Sequence, residues 1–214
     1  WHTASVSSNY RAIGTIGYLI EKDAESFRAN LIAATRYRMK LFDRFDAGDP
    51  IAKSFVTMFN YKELLDALAS GYMDIARESA AKMGGRKEAE KGHGRLFETA
   101  MGYGLKALVA GDDAAALEWF QSLEVACTRK GYTTFAGYVP FLCAIAKRDS
   151  MAAQVAFPAM LAGHKRASTG RGFHSDSPDK FIFVWGIGLI NLAHSRGMDI
   201  TVNDPLLPVE LITQ

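Results

Sequence analysis

The stretch from Asp176 to Gly197 sets the terms for the rest of the chain. Phe181, Ile182, Phe183, Val184, Trp185, Gly186, Ile187, Gly188, Leu189 and Ile190 follow one another with no charged residue among them. A surface helix carries one apolar stripe, so a segment that is apolar on every side has to be buried. The run falls short of the roughly 18 residues that suggest a membrane span. Its aromatic and β-branched residues would also suit a buried strand, but its flanks carry helix signals. Ser177 is placed to cap a first turn, Pro178 to take the first helical position, and Asp179 to face the positive end of the helix dipole. His194 and Arg196 suit a last turn, and Gly197 the residue beyond it. The reading is a buried helix over 178–196, with the other elements packed around it.

Those other elements also read as helices. Residues 1–8 are polar and expected to be loose, and a first helix runs from Ser8 through Ile20. Asp23 caps a long second helix, in which Phe27, Leu31, Ile32, Met39, Leu41 and Phe42 recur at helical spacing. Asp49-Pro50 opens a further segment, and Asn60 is placed to cap a helix that stops at Gly71. Helical patterns then cover 73–83, 95–111, 112–131, 133–148 and 150–168, with Pro140 and Pro158 as local breaks, and the tail holds Pro205 and Pro208. No run alternates as a half-buried strand would. Three segments, 67–80, 107–120 and 144–157, align without gaps at spacings of 40 and 37 residues, each a helix end, a turn and a new alanine-bearing start. That period is one of helix pairs. The expected fold is all-α, with about eight to ten helices in a multi-helix bundle or in stacked helical hairpins, TPR-like in size, in one domain over 1–214. The charged, glycine-rich stretch 84–94 is the candidate subdomain break.

Composition removes several functional classes. The 214 residues are 49% hydrophobic and 22% charged with net charge +2, which suits a globular protein and argues against a nucleic-acid binder with a basic stripe. Cys127 and Cys143 are too few for a disulfide framework and are expected as buried free thiols, which suits a reducing cytoplasm. The chain begins at Trp1 and not at methionine, so a preceding segment is expected to have been trimmed or processed; no basic-then-apolar signal peptide is visible. His2, His93, His164, His174 and His194 lie too far apart to form a helical metal pair, so no metal and no cofactor is expected. His164 and His194 are expected to bond the last carbonyls of their helices. Glu98, Glu118 and Glu124 read as solvated helix-face carboxylates. Gly186 and Gly188 read as places where another helix comes close.

The irregular stretch 168–179 gathers Arg171, His174, Ser175, Asp176 and Asp179. A histidine, a hydroxyl and a carboxylate can hydrolyse, but only when a third group holds the base against the nucleophile, and consecutive loop residues rarely achieve that. The stretch reads better as a recognition loop, with Arg171, His174 and Asp176 as partner-binding residues, because long irregular loops on rigid scaffolds carry function.

The C-terminal third carries a resemblance. An apolar helix ends in Ala193, Arg196 and Gly197; an extended step follows at Ile200 and Val202; then come Asp204-Pro205-Leu206-Leu207-Pro208 and Leu211. This pattern, most specific over 181–212 and extending back to about 95, resembles the Immunity protein 49 family of all-helical bacterial proteins encoded beside polymorphic toxins. The resemblance implies no catalytic residues. It implies a cytoplasmic protein that binds a cognate toxin and blocks it. A helical-repeat module for another protein or peptide, or an enzyme whose site assembles only in the fold, are the alternatives.

Overall fold

The computed structural model describes residues 2–92 and 95–213. Trp1, His93, Gly94 and Gln214 lie outside the described residues, so the readings that rest on Trp1, on His93 or on the end of the 84–94 stretch are not addressed. The described residues form ten α-helices and several single 3-10 turns, with no strand. The chain is all-α, as the periodicity requires.

Three antiparallel hairpins repeat one turn design. Helix α3 (Tyr61–Ala69) turns into α4 (Met73–Lys82), α6 (Leu96–Ala110) into α7 (Asp113–Cys127), and α8 (Tyr138–Lys147) into α9 (Ser150–Ala167). These turns are the three aligned segments of the sequence. Each reverses at a residue in the left-handed region, Gly71 (φ 79°), Gly111 (φ 82°) and Arg148 (φ 54°), which frees the chain from the ending helix. Asp112 and Asp149 then cap the next helices, their carboxylates accepting from the Ala115 and Ala152 amides at 3.0 and 2.9 Å. Ahead of them α1 (His2–Glu21) packs along α2 (Ala24–Asp46), and Asp23 caps α2 through the Ser26 amide at 2.9 Å. The short α5 (Lys87–Glu90) lies in the stretch expected as a subdomain break. One hydrophobic cluster nevertheless holds Met83, Ala89 and Phe97 together with residues from Tyr18 to Leu211.

The tenth helix, α10 (Val184–Ser195), returns against α3. Val184 through Ala193 are all buried and Trp185 is 3% exposed, as an apolar surface on every side demands. Gly188 sets the approach: a Cβ there would lie 2.6 Å from the Leu65 carbonyl oxygen and 3.1 Å from the Ala69 nitrogen. Asn191, buried among apolar neighbours, spends its amide on the ends of the chain around it. It donates to Leu68 O at 3.1 Å and accepts from the Thr213 amide at 2.8 Å, joining α3 to the tail.

Six local expectations fail. Residues 2–8 are helical, because Ser7 is buried and donates to the Ala34 carbonyl at 2.9 Å, so the helix starts where α2 can cover it. The segment after Asp49-Pro50 forms two 3-10 turns, 53–55 and 58–60, with no α-helix. Asn60 makes no cap there; its amide donates back to Phe55 O and Thr57 O at 2.9 and 2.7 Å. Pro178 opens a 3-10 turn only, and the helix begins at Val184, after Phe183 has bonded the Leu206 carbonyl through its amide. Ser177 does not cap it and instead donates to His174 O. Phe181, within the run read as buried, is 59% exposed.

Candidate functional site

The loop between α9 and α10 is fastened from beneath by charge. Arg11, on α1, donates through Nε to both Asp66 oxygens (3.0 and 2.9 Å) and through Nη2 to both Asp179 oxygens (2.9 and 3.1 Å). His174 Nδ1 lies 3.5 Å from Asp179 Oδ2, so one guanidinium and one imidazole hold the loop carboxylate. Burial works to raise the Asp179 pKa, but the His174 and Arg11 interactions outweigh it and hold the carboxyl at about 2. Asp66 goes the other way: complete burial, with Glu63 and Asp179 nearby, outweighs Arg11 and pushes it up to about 7. His164 stacks on Phe183 at 4.1 Å and faces His174 at 4.8 Å. Burial, then the charge of His174, brings His164 down to about 4. Neither Nε2 of His174 nor the Tyr138 hydroxyl has a hydrogen-bond partner among the described residues, and the His164 ring has only the Asp179 backbone beside it.

This arrangement corrects the reading of the loop. Arg171 and Asp176 are exposed, as expected of contact residues. His174 is only 2% exposed and belongs to the core, so it is an anchor and not a surface contact. Asp179 is bound to Arg11 and does not serve the helix dipole. His174, Ser175 and Asp176 do not converge: the histidine turns to Asp179, and Ser175 donates to the Gly172 carbonyl at 2.9 Å. His164 does not bond the last carbonyls of its own helix, and His194 bonds those of the tail, with Nδ1 2.7 Å from Thr213 O. Both cysteines are free; Cys127 is buried, which pushes its thiol up to about 12, and Cys143 is half-buried. No group of three or more His, Cys, Asp or Glu among the described residues could hold a metal ion, and no helix is long and apolar enough to cross a membrane.

Held in this way, the loop borders two surface features. Residues Ser175–Phe181 wall a groove of about 800 Å³ whose other side is Ile16, Leu19 and Ile20 of α1. Ile13, Ile16 and Ile20 are 58%, 45% and 75% exposed and fall three and four residues apart, so α1 carries an outward apolar stripe as well as the face it packs on α2. Asp176 and Lys180 give the groove a charged rim.

Phe173 takes part in the second feature, a cleft of about 640 Å³ lined also by Ser54, Thr57, Phe59, Arg95, Glu98, Lys130, Gly131 and Tyr132. Lys62 holds Phe59 and Phe173 together, its ammonium 4.4 and 4.6 Å from their ring centres. Burial lowers the Lys62 pKa. Tyr132 is braced from behind by Phe97, nearly parallel at 4.5 Å. Glu98, read as solvated, is 6% exposed: Oε1 accepts from the Tyr132 hydroxyl at 3.1 Å while Oε2 has no partner.

No protein-family model, no curated protein and no solved structure matches this chain. The site residues therefore rest on geometry. Arg11, Lys62 and Phe59 were not singled out by sequence. Asp66 had a signal: a carboxylate inside Leu64-Leu65-Asp66-Ala67-Leu68 requires a buried partner.

Proposed function

We propose that this protein is a non-catalytic immunity protein that binds and neutralises a cognate bacterial toxin in the cytoplasm, and that the groove between α1 and residues 175–181 is where the toxin docks. The observation that carries the reading is the apolar stripe Ile13, Ile16 and Ile20, continued across the groove by Phe181 at 59% exposure. Large apolar side chains grouped at a surface and rimmed by charge mark interaction sites, and single scattered ones do not. Asp176 and Lys180 on the rim supply the polar selectivity expected around such anchors. The choice of a toxin as the partner class rests on the resemblance of residues 181–212 to Immunity protein 49 chains. The loop is pre-organised by Arg11 and Asp179, so binding would not have to order it first.

The test is co-expression with the product of the adjacent gene, read as growth protection and as recovery of a complex. The double substitution Ile16→Asp and Ile20→Asp should abolish both while leaving helix content unchanged. Protection that survives it would exclude the groove. Absence of any complex with the wild-type chain would exclude the toxin and leave a helical module for another partner.

A further inference from the structure

Helix α9 keeps one face on the core and turns an apolar face outward. Ala153, Ala156, Phe157, Met160 and His164 are buried. On the opposite side Met151 and Val155 are 79% and 76% exposed, Pro158 is exposed and Ala162 is half-buried. Steps of four, three and four residues put these four side chains in one row along the helix, the spacing of a coiled-coil seam. Ala152 and Ala159 flank the row on one side, Gln154 and Leu161 on the other. Gln154 is already satisfied: its side chain donates to Thr201 O at 3.1 Å and accepts from the Thr201 amide at 2.9 Å. From Ser150 to His164 there is no Asp, Glu, Lys or Arg. An outward helix face normally carries polar and charged residues, as α7 does with Glu118, Gln121 and Glu124. Single exposed apolar residues such as Val125 and Val209 need no explanation, but a row at seam spacing with no charge does.

Size and charge along the row say what can cover it. Bulk falls from Met151 at one end, through Val155 and Pro158, to Ala162 at the other. Laid antiparallel on a copy of itself, with a two-fold axis between positions 156 and 157, the row sets Met151 against the partner's Ala162 and Val155 against the partner's Pro158. Large then meets small at every step, which is the self-complementarity a two-fold interface requires. A parallel pairing sets methionine on methionine and leaves a gap between the alanines. Charge points the same way. Asp149 stands exposed at the start of the helix and Arg166 exposed at its end. Their neighbours are engaged elsewhere, Arg148 facing Asp113 at 3.9 Å and Lys165 bonded to Asp204 at 2.7 Å. Antiparallel copies bring Asp149 beside the partner's Arg166 at both ends and oppose the helix dipoles; parallel copies bring like charges together. One seam of this length covers roughly 400–500 Å² on each copy, at the low end for specific complexes, so the pairing is reversible and not permanent.

We propose that α9 is a self-association surface, and that two copies of this chain pair antiparallel along Met151, Val155, Pro158 and Ala162 as a weak two-fold dimer. This seam shares no residue with the α1 groove, so it can be tested without a toxin.

Sedimentation velocity of the full chain, from micromolar to submillimolar concentration, should show one species moving from monomer to dimer. Val155→Glu should stay monomeric throughout, with unchanged circular dichroism. Val209→Glu, at a valine 69% exposed and off the seam, should dimerise like the wild type. Cross-linking reads the orientation, in a Cys143→Ser background so that the half-buried native thiol does not react. A short bismaleimide should join Val155→Cys chains to one another, because these positions lie about 5 Å apart along the paired helices. Met151→Cys chains, about 17 Å apart on the same measure, should stay uncoupled, and a mixture of Met151→Cys and Ala162→Cys chains should couple. Three results overturn the proposal: a chain that stays monomeric at every concentration, a dimer that Val155→Glu leaves intact, or Met151→Cys chains that join to one another as readily as Val155→Cys chains, which means parallel pairing.

Discussion

Replacing Arg11 by methionine is the sharpest test of how the recognition loop is held. Methionine keeps much of the stem and removes the guanidinium, leaving Asp66 and Asp179 without it and only the His174 imidazole beside Asp179. Their side chains are 2% and 10% exposed while Arg11 itself is 22% exposed, so the removal strands two nearly buried carboxyl groups. Breaking a buried ion pair by deleting one member costs about 3–5 kcal/mol. Partial access of water puts Arg11→Met near 3 kcal/mol, or a fall in Tm of roughly 6–12 °C for a chain of this size. The pH dependence follows from the carboxylates. Asp179 is held at about 2, below its unfolded value, so it contributes stability that is present above the unfolded pKa and lost as pH falls through about 2. Asp66 is raised to about 7, so its contribution is complete below the unfolded pKa and lost as pH rises through about 7. Without Arg11 both carboxyls are raised, and the deficit of the variant should be largest near pH 8 and shrink by pH 5. Urea unfolding followed by tryptophan fluorescence at the two pH values measures it. A cost below about 1 kcal/mol at pH 8, or one that does not change with pH, would refute the account. Adding Asp66→Asn and Asp179→Asn to Arg11→Met should restore most of the loss.

Three further outcomes are expected. Trp185→Ala, at a side chain 3% exposed and ringed by Tyr61, Phe135, Tyr138 and Phe173, should cost about 3–5 kcal/mol in the same unfolding measurement. Gly188→Ala should cost about 1–3 kcal/mol, because its Cβ meets α3 backbone and not a side chain that could turn away. His164→Leu should flatten the acid limb of the stability curve: His164 is depressed to about 4, so its contribution is present above the unfolded pKa and lost as pH falls through about 4. The only polar neighbour of its ring is the Asp179 backbone, so little is lost and the variant should be no less stable than the wild type at pH 5.

The helices were legible because their ends and their apolar faces are local properties. Asp23 caps where the sequence places it, and Gly71 and Gly111 end helices because few other residues accept their backbone angles. Residue 177 shows the limit. Ser177-Pro178 is a sound start signal, but the amide of Phe183 is taken by Leu206 in the tail, so the helix begins only at Val184, and a distant bond overrides a local preference. The candidate sites were hidden for the same reason. The loop was identified from its length and polarity, yet which of its residues point outward was decided by Arg11, 168 positions away from Asp179. Phe59, Glu98, Tyr132 and Phe173 share no spacing that would link them, and only the fold brings them to one cleft.

The stitching of the chain ends to each other has a consequence for synthesis on the ribosome. Arg11 waits for Asp179, and Tyr18 and Arg28 wait for Glu210, 192 and 182 positions later, with Tyr18 bonded to its carboxylate and Arg28 to its carbonyl. At translation speeds of roughly 5–20 residues per second, the first of these waits lasts on the order of ten to thirty seconds. During that time the α1–α2 hairpin has emerged with Arg11 held by Asp66 alone and with Tyr18 and Arg28 still without their partners in the tail. A nascent chain arrested before Asp179 should therefore leave α1 open to protease and to chaperones, and arrest after Glu210 has cleared the exit tunnel should close it. Helix α1 is made before its partners and secured only after them.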